Sequence, residues 1–506
     1  MKKFFALLLP FTFIFCPFSL FADQDYAMNH WKKVLSDPKA AVEQDIPKQV
    51  INGSNEQLVK IVKNEAFKKH MLDWKEKKFN IPRDSKRPMQ GNDTPSSFFS
   101  DTFVSTLEGI PVNGATEEVP WSSDYWAIRR GILSVRYCSN DKNTANRNWT
   151  WKQSINAYKQ PDEHKKLYSN LGEFEKYVAE YYSPAEKYDL LVGDTDYTLT
   201  NEMKNAGSRY ADSKGDVEGW MGICHGWAPA AFMVPRPTNM VTILGADGKT
   251  NIVFYADDIR ALSALKWAES SYSQVFVGGR CNSKDSDIKK DKDTSVITDY
   301  TCFDTNPATW HMIIGNQIGL RKKSFVMDAT YDYEVWNQPV YNYSVQYFNP
   351  LKSDWASNNE LAKAKVPFAE IKKSDKAFLK FVSKNANKDT DSIVGVSMDV
   401  VYIAETNPVH KGSPSPDRQV RVTYVYVLEL DKNGAIIGGE WTQNKHPDFV
   451  WSPSPDAKAL NSEDQKVGSI DGTPDSFKGV TKYAKSASSR GDLLYPVLDI
   501  LIDKAK

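Results

Sequence analysis

The segment Gly219-Trp220-Met221-Gly222-Ile223-Cys224-His225-Gly226-Trp227-Ala228-Pro229-Ala230-Ala231-Phe232 constrains this chain more than any other. A glycine- and tryptophan-rich turn holds a cysteine and runs at once into residues apolar enough for a buried helix. A helix N-terminus aims backbone N–H groups and the positive end of its dipole at whatever sits there. A thiol in that place is pushed toward thiolate, the nucleophilic form of cysteine. Glycines on both sides let the backbone bend tightly and let a substrate carbonyl approach. The same residues also fit a structural cysteine, buried or in a disulfide. Pro229 lies five residues after Cys224 and cannot donate in a regular helix; a helix beginning nearer Gly226 would weaken the dipole argument.

Length and composition set bounds on the rest. At 506 residues the chain favours two or three domains. Lys+Arg and Asp+Glu are both 64, and removing Lys2 and Lys3 with a leader leaves 62 against 64, a net charge of about −2. No basic footprint of the kind that nucleic-acid binding leaves is present. Aromatic residues make up 12% of the chain, with Trp 14, which predicts large buried rings and a stacking or peptide-binding surface. Met1 to Ala22 reads as a secretory signal: Lys2-Lys3, an apolar run from Phe4, then Ser19-Leu20-Phe21-Ala22 before Asp23. Ile14 and Phe15 before Cys16 are too bulky for a lipoprotein site. No later apolar run is long enough to span a bilayer, so the expected product is exported and soluble, in the periplasm or outside the cell.

Export permits disulfides among the four remaining cysteines, Cys138, Cys224, Cys281 and Cys302. Cys281 and Cys302 flank a polar loop that a bridge would close, and that pair is the one expected. Pairing of Cys138 with Cys224 is the alternative that would end a catalytic role for Cys224. No cysteine pair has zinc-ligand spacing.

Along the chain, Asp23 to about Arg83 reads as mostly helical, broken at Asn52-Gly53, with Ser54 as a cap and a lysine-rich solvated face beyond it. Pro120-Trp121-Ser122-Ser123-Asp124-Tyr125-Trp126 opens the next section, its tryptophans packing a wall or lining a cleft. Lys152 to Glu180 is helical, and Ser183 caps a further helix with Pro184 at its first position. Val241–Leu244 and Asn251–Tyr255 flank Gly245-Ala246-Asp247-Gly248 as a hairpin. Asp257 and Asp258 cap the helix that follows or help to hold Ca²⁺. Ser392 to Ala404 and Gln419 to Leu430 alternate as strands, the second turning at Asp431-Lys432-Asn433-Gly434 into a returning strand to Trp441. His446 and Asp448 read as structural.

Thr309–Ile314 and Ser324–Asp328 read as two strands. Folded back around Gly319-Leu320, they put His311 opposite Asp328. A thiol nucleophile needs such a pair, an imidazole to take its proton and a carboxylate to orient and support the imidazole. His225, next to Cys224 on a helix, faces another way and is the poorer base. The order Cys224, His311, Asp328 is that of papain-like folds.

Glu334-Val335-Trp336-Asn337-Gln338-Pro339-Val340 closely resembles the peptide for which oomycete transglutaminase elicitors are known, a segment that plants sense as a defence trigger. The Cys-His-Gly-Trp-Ala-Pro-Ala run, Ser-Pro-Ala-Glu-Lys-Tyr-Asp, Pro-Trp-Ser-Ser-Asp-Tyr-Trp, Gly-Gly-Glu-Trp and His-Pro-Asp-Phe are also similar to that family, which has bacterial members. The resemblance runs from about Pro120 to Trp451. It implies a secreted protein-glutamine γ-glutamyltransferase with a papain-like core. Cys224 would attack a glutamine amide and release ammonia, and a lysine or polyamine would then take the thioester as an isopeptide crosslink. His311 and Asp328 carry over as base and orienter. The family is described as calcium-dependent, though no ligands map onto residues here and the chemistry itself requires no cofactor. The segment departs from the elicitor after Val340 (Tyr341-Asn342-Tyr343), so recognition by plants is not implied. The oxyanion hole would use the Cys224 backbone N–H with the Trp220 indole as second donor.

The expectation is therefore an α+β protein: signal peptide 1–22, helical N-terminal segment 23–115 (with a pro-segment or lid as the alternative role), papain-like core 116–347 and β-rich C-terminal part 348–506. The rival functions are protein hydrolysis or glutamine deamidation by the same triad, and a non-catalytic exported binding protein.

Overall fold

A computed structural model of the chain describes residues 24–52, 103–137, 149–158, 170–279, 288–298, 305–331, 334–356 and 360–506. The leader, Ser54 and the helix expected after it, Cys138, Cys281 and Cys302 lie outside the described residues.

Two long strands frame the fold. Ser392–Ala404 and Arg418–Leu430 are rich in Val, Tyr and Ile, residues suited to a pleated surface. They pair antiparallel along their whole length, Ser392 opposite Leu430 and Ala404 opposite Arg418. Around them the described residues build one 11-stranded sheet whose main strands are β1 (Lys48–Asn52), β4 (Gln274–Gly278), β5 (Val326–Asp328), β6 (Asn337–Asn349), β7 (Ser392–Ala404), β8 (Arg418–Leu430), β9 (Ile436–Trp441) and β10 (Phe449–Pro453). Their order is β1-β8-β7-β6-β5-β10-β4, and β9 pairs with the free length of β8. The expected turn 431–434 holds, with Gly434 at φ 78, a conformation glycine adopts without strain. A separate hairpin, β2 (Val241–Leu244) with β3 (Asn251–Phe254), forms as its Gly-Ala-Asp-Gly turn predicts. Helix and sheet together make the chain α+β.

Every residue of β7 is buried, so both faces of the sheet are covered. Side chains alternate between faces along a strand, and two cores result. Val394, Val396, Met398 and Val400 of β7, with Tyr424 and Tyr426 of β8, point into one. Val326 of β5 and Trp451 of β10 point into the other. Farther along that second face, Val425 and Val427 of β8 meet α1 (Gln24–Ser36). The Val326–Trp451 face carries α3 (Cys224–Met233), α4 (Ala256–Glu269) and the terminal helices α6 (Pro474–Ser488) and α7 (Tyr495–Ala505). The opposite face carries α5 (Pro307–Ile314), which packs on β8 and β9.

Several local expectations hold. Ser183 and Glu186 form a reciprocal capping box at α2 (Pro184–Leu191), and Trp121 and Trp126 are buried wall residues. Others change. Thr309–Ile314, expected as a strand, is helical: Asn306 caps it, Pro307 takes its first position, and every residue of it is buried. An apolar run with no exposed side has no period to distinguish strand from helix. The partner of β5 is consequently β6, with Asp328 opposite Asn337, and the His311–Asp328 pairing does not form. The N-terminal segment, expected as helix up to Asn52, turns into a strand at Lys48 and pairs with β8. A boundary at 347/348 would cut β6, which continues to Asn349, so the two parts expected there share one sheet.

Candidate functional site

Cys224 is the first residue of α3, is 5% exposed and keeps its thiol. The turn before it is fixed by its neighbours. The Ile223 N–H donates to the Tyr125 carbonyl at 2.7 Å, while the Gly226 and Trp227 N–H groups turn back to the Ile223 carbonyl at 2.9 and 3.1 Å. Two glycines are needed here for closeness rather than flexibility. A Cβ on Gly222 would sit 2.3 Å from the Tyr125 carbonyl oxygen, and one on Gly226 would sit 2.1 Å from that of Ala264, where α3 lies against α4. Pro229 stays within α3. The helix thus begins at the cysteine and not at Gly226, which sets Cys224 at its positive end.

Two groups flank the sulfur from the sheet side. The Val335 carbonyl oxygen lies 3.7 Å from Sγ and the Asn337 side-chain nitrogen 3.6 Å from it. Asn337 is the first residue of β6 and is buried. Its side-chain oxygen accepts a 2.8 Å hydrogen bond from the Trp451 indole N–H on β10. Asp328, opposite Asn337, ties down the turn that delivers both groups. Its Oδ1 accepts from the Trp336 N–H at 3.0 Å and from the Thr330 N–H and hydroxyl at 3.2 and 2.6 Å. The Ala329 N–H closes the same turn on the Trp336 carbonyl at 2.9 Å. The Trp336 ring packs on Tyr125, centroids 5.4 Å apart.

The expected triad is therefore brought together only in part. Asp328 reaches the surroundings of Cys224 through the 329–336 turn, not through a histidine. His311 projects from α5 on the opposite face, where its Nδ1 is 2.7 Å from the Tyr426 hydroxyl and its ring lies near Tyr347. Burial drives its pKa down to about 3 and holds the imidazole neutral. His446 stacks on Trp441 at 4.7 Å and is likewise lowered by burial, to about 4. The Asp448 carbonyl accepts from Gly279 and Thr305. His225 lines a pocket of about 240 Å³ with Glu202, Arg209, Tyr210, Glu269 and Arg490.

The Trp220 indole, expected as an oxyanion donor, donates instead to the Glu218 carboxylate two residues back. Asp257 and Asp258 do not fit calcium. Asp258 caps α4 by accepting from the Tyr255 N–H at 2.8 Å and pairs with Lys187 at 2.6 Å. Asp257 accepts from the Val409 N–H at 2.8 Å, with Arg260 3.6 Å away. Among the described residues no three His, Cys, Asp or Glu side chains cluster as a metal site, and no helix is long and apolar enough to cross a membrane. Sequence reasoning gave no role to Asn337, Trp451 or the Val335 carbonyl. Two of the three lie inside the Glu334–Val340 segment that carried the resemblance.

A cysteine thiol at a helix N-terminus, held against an antiparallel sheet of an α+β fold, is a setting that suits a thiol nucleophile. The chain matches the transglutaminase elicitor family model over residues 94–468 and belongs to that family. Its fold is similar to the crystal structure of the GP42 transglutaminase from Phytophthora sojae, with a TM-score of 0.50 at 20% identity, over 83% of this chain and 99% of that one. No curated protein matches it significantly.

Proposed function

We propose that the chain is an exported protein-glutamine γ-glutamyltransferase that works through Cys224. The observation that carries this reading is the seat of the thiol, at the start of α3 with an amide donor 3.6 Å from its sulfur. Family membership supports it. The sulfur, having given its proton to solvent, attacks the side-chain amide carbon of a protein glutamine. The C–S bond forms, the C–N bond breaks, and the leaving nitrogen takes up a proton to depart as ammonia. A lysine or polyamine nitrogen then attacks the thioester. The thioester C–S bond breaks as the new C–N isopeptide bond forms, and the proton lost by the amine returns the sulfur to thiol or passes to water.

Asp328 enters this scheme by fixing the turn that borders the sulfur, and His311 has no part in it. Any calcium acts away from Asp257 and Asp258, which are held by Val409, Arg260, Tyr255 and Lys187. Export follows from the leader read at 1–22. The test is transfer of a labelled amine to a glutamine-bearing protein by the wild type and by Cys224→Ser, with and without calcium. Incorporation by the wild type that falls to background in the variant is expected. Equal transfer by both would remove Cys224, and glutamate formed without incorporated amine would replace transfer with deamidation.

A further inference from the structure

The side-chain amide of Asn337 has only one orientation open to it. The Trp451 indole is a donor and never an acceptor, so the Asn337 atom 2.8 Å from it is the oxygen. The nitrogen is then the atom that faces Cys224 Sγ at 3.6 Å. An amide nitrogen only donates, so the sulfur is placed to accept. The Val335 carbonyl, 3.7 Å from Sγ, only accepts and is served by the protonated thiol. Once the proton leaves, the favourable partners in this set are the Asn337 amide and the N-terminus of α3. A hydrogen bond to an ionised acceptor is about twice as strong as a neutral one.

The arrangement is also rigid. Asn337 and Trp451 both sit on strands that pair with β5, Asn337 opposite Asp328 and Trp451 opposite Val326. Asn337 is 4% exposed and Trp451 is buried. Side chains held on paired strands keep their geometry better than side chains on loops. The titratable groups on the elements around the sulfur include Asp328 on β5, Glu334 in the turn, His225 next along α3 and Tyr125 against Trp336. On α4, Asp258 pairs with Lys187, Asp257 with Arg260 and Lys266 with Asp464, while Glu269 lines the pocket beside His225. Asp328 is held by Thr330 and Trp336.

We propose that Asn337 is a catalytic residue that stabilises the Cys224 thiolate, and that Trp451 is the positioning residue that locks its amide. This rests on the reading of Cys224 as the nucleophile. The test measures iodoacetamide alkylation of Cys224 in the full chain as a function of pH, the adduct being located by peptide mapping. Asn337→Ala is expected to slow alkylation at neutral pH about tenfold, the effect of losing one hydrogen bond to a charged group. Its rate–pH profile moves to higher pH. Asn337→Asp moves the profile further, since a carboxylate then faces the sulfur. Trp451→Phe keeps an aromatic ring in the core but frees the amide to turn, and moves the profile in the same direction by less. A purely structural role would lower stability and leave the profile where it is. Unchanged profiles in Asn337→Ala and Trp451→Phe would overturn the proposal. Should the Asn337 variants fail to fold, the Trp451→Phe profile alone decides it. A shifted profile in a chain that incorporates no amine would sustain the role of Asn337 and sink the transferase reading. Amine transfer with unmoved profiles would do the reverse.

Discussion

At the residue scale, the contrast between Cys224 and His311 shows how a single backbone assignment redirects a mechanism. The cysteine was legible because its signals are local: glycines before and after it, an apolar run beyond it, and a sulfur at the junction. The histidine required a long-range pairing, and that pairing depended on reading Thr309–Ile314 as a strand. With α5 in its place, His311 belongs to the Tyr426 side of the sheet. His311→Gln is accordingly expected to leave Cys224 alkylation unchanged, and loss of alkylation in that variant would return His311 to the site. Its own contribution shows in acid. Burial holds its folded-state pKa at about 3, below the ordinary 6.5. Between those values the unfolded chain takes up a proton that the folded one refuses. Stability is therefore full above about pH 6.5 and is lost as pH falls toward 3. His30, His410 and His446, each lowered to about 4 by burial, act in the same direction. Urea unfolding at neutral and mildly acid pH should show a smaller acid loss in His311→Gln than in the wild type. An equal loss would contradict the assignment.

At the scale of elements, the long alternating strands β7 and β8 and the turn 431–434 could be read directly, because half-buried residues at period two leave a pattern that survives without tertiary context. Fully buried elements leave none. That explains the misreading of α5, although Asn306-Pro307 carried the cap and first-position signal of a helix. The role of Asn337 was illegible for a different reason. The residue matters through its register against Asp328 and its contact with Trp451, 114 positions along the chain. The crossing of α3 and α4 makes a sharp prediction. Gly226→Ala drives a methyl group against the Ala264 carbonyl at 2.1 Å, and backbone cannot yield as a flexible side chain can. Destabilisation of about 1–3 kcal/mol or more is expected, with slower alkylation of Cys224 as the helix start moves. Wild-type stability in chemical unfolding would show that the helices are not packed this closely.

At the scale of the whole molecule, one sheet carries residues from β1 near the N-terminus to β10, and the last helices return to cover the cysteine's face of it. Their attachment is partly ionic. Lys266 of α4, fully buried, reaches Asp464 at 2.7 Å, Asp492 at 3.3 Å and the Leu493 carbonyl at 2.8 Å. Removing one partner of a buried ion pair leaves the others uncompensated, which costs about 3–5 kcal/mol. Lys266→Ala should lose stability on that scale by urea unfolding, and a loss below about 1 kcal/mol would mean that the carboxylates are solvated or protonated. The α+β class and the family could be read from the sequence, because motifs spread from Pro120 to Trp451 agree with one another. The continuity of the sheet across the expected boundary at 347/348 could not, since strand pairing between distant segments leaves no local trace.

In the proposed reaction a glutamine side chain becomes attached to the sulfur of Cys224. This attachment is tested most directly by incubating the intact chain with a glutamine-bearing peptide and no amine, quenching in acid, and measuring its mass. An adduct of the peptide's mass less ammonia is expected, mapped to Cys224 and discharged on adding a primary amine. Ammonia released with no adduct on Cys224, or an adduct carried by another residue, would contradict that reaction.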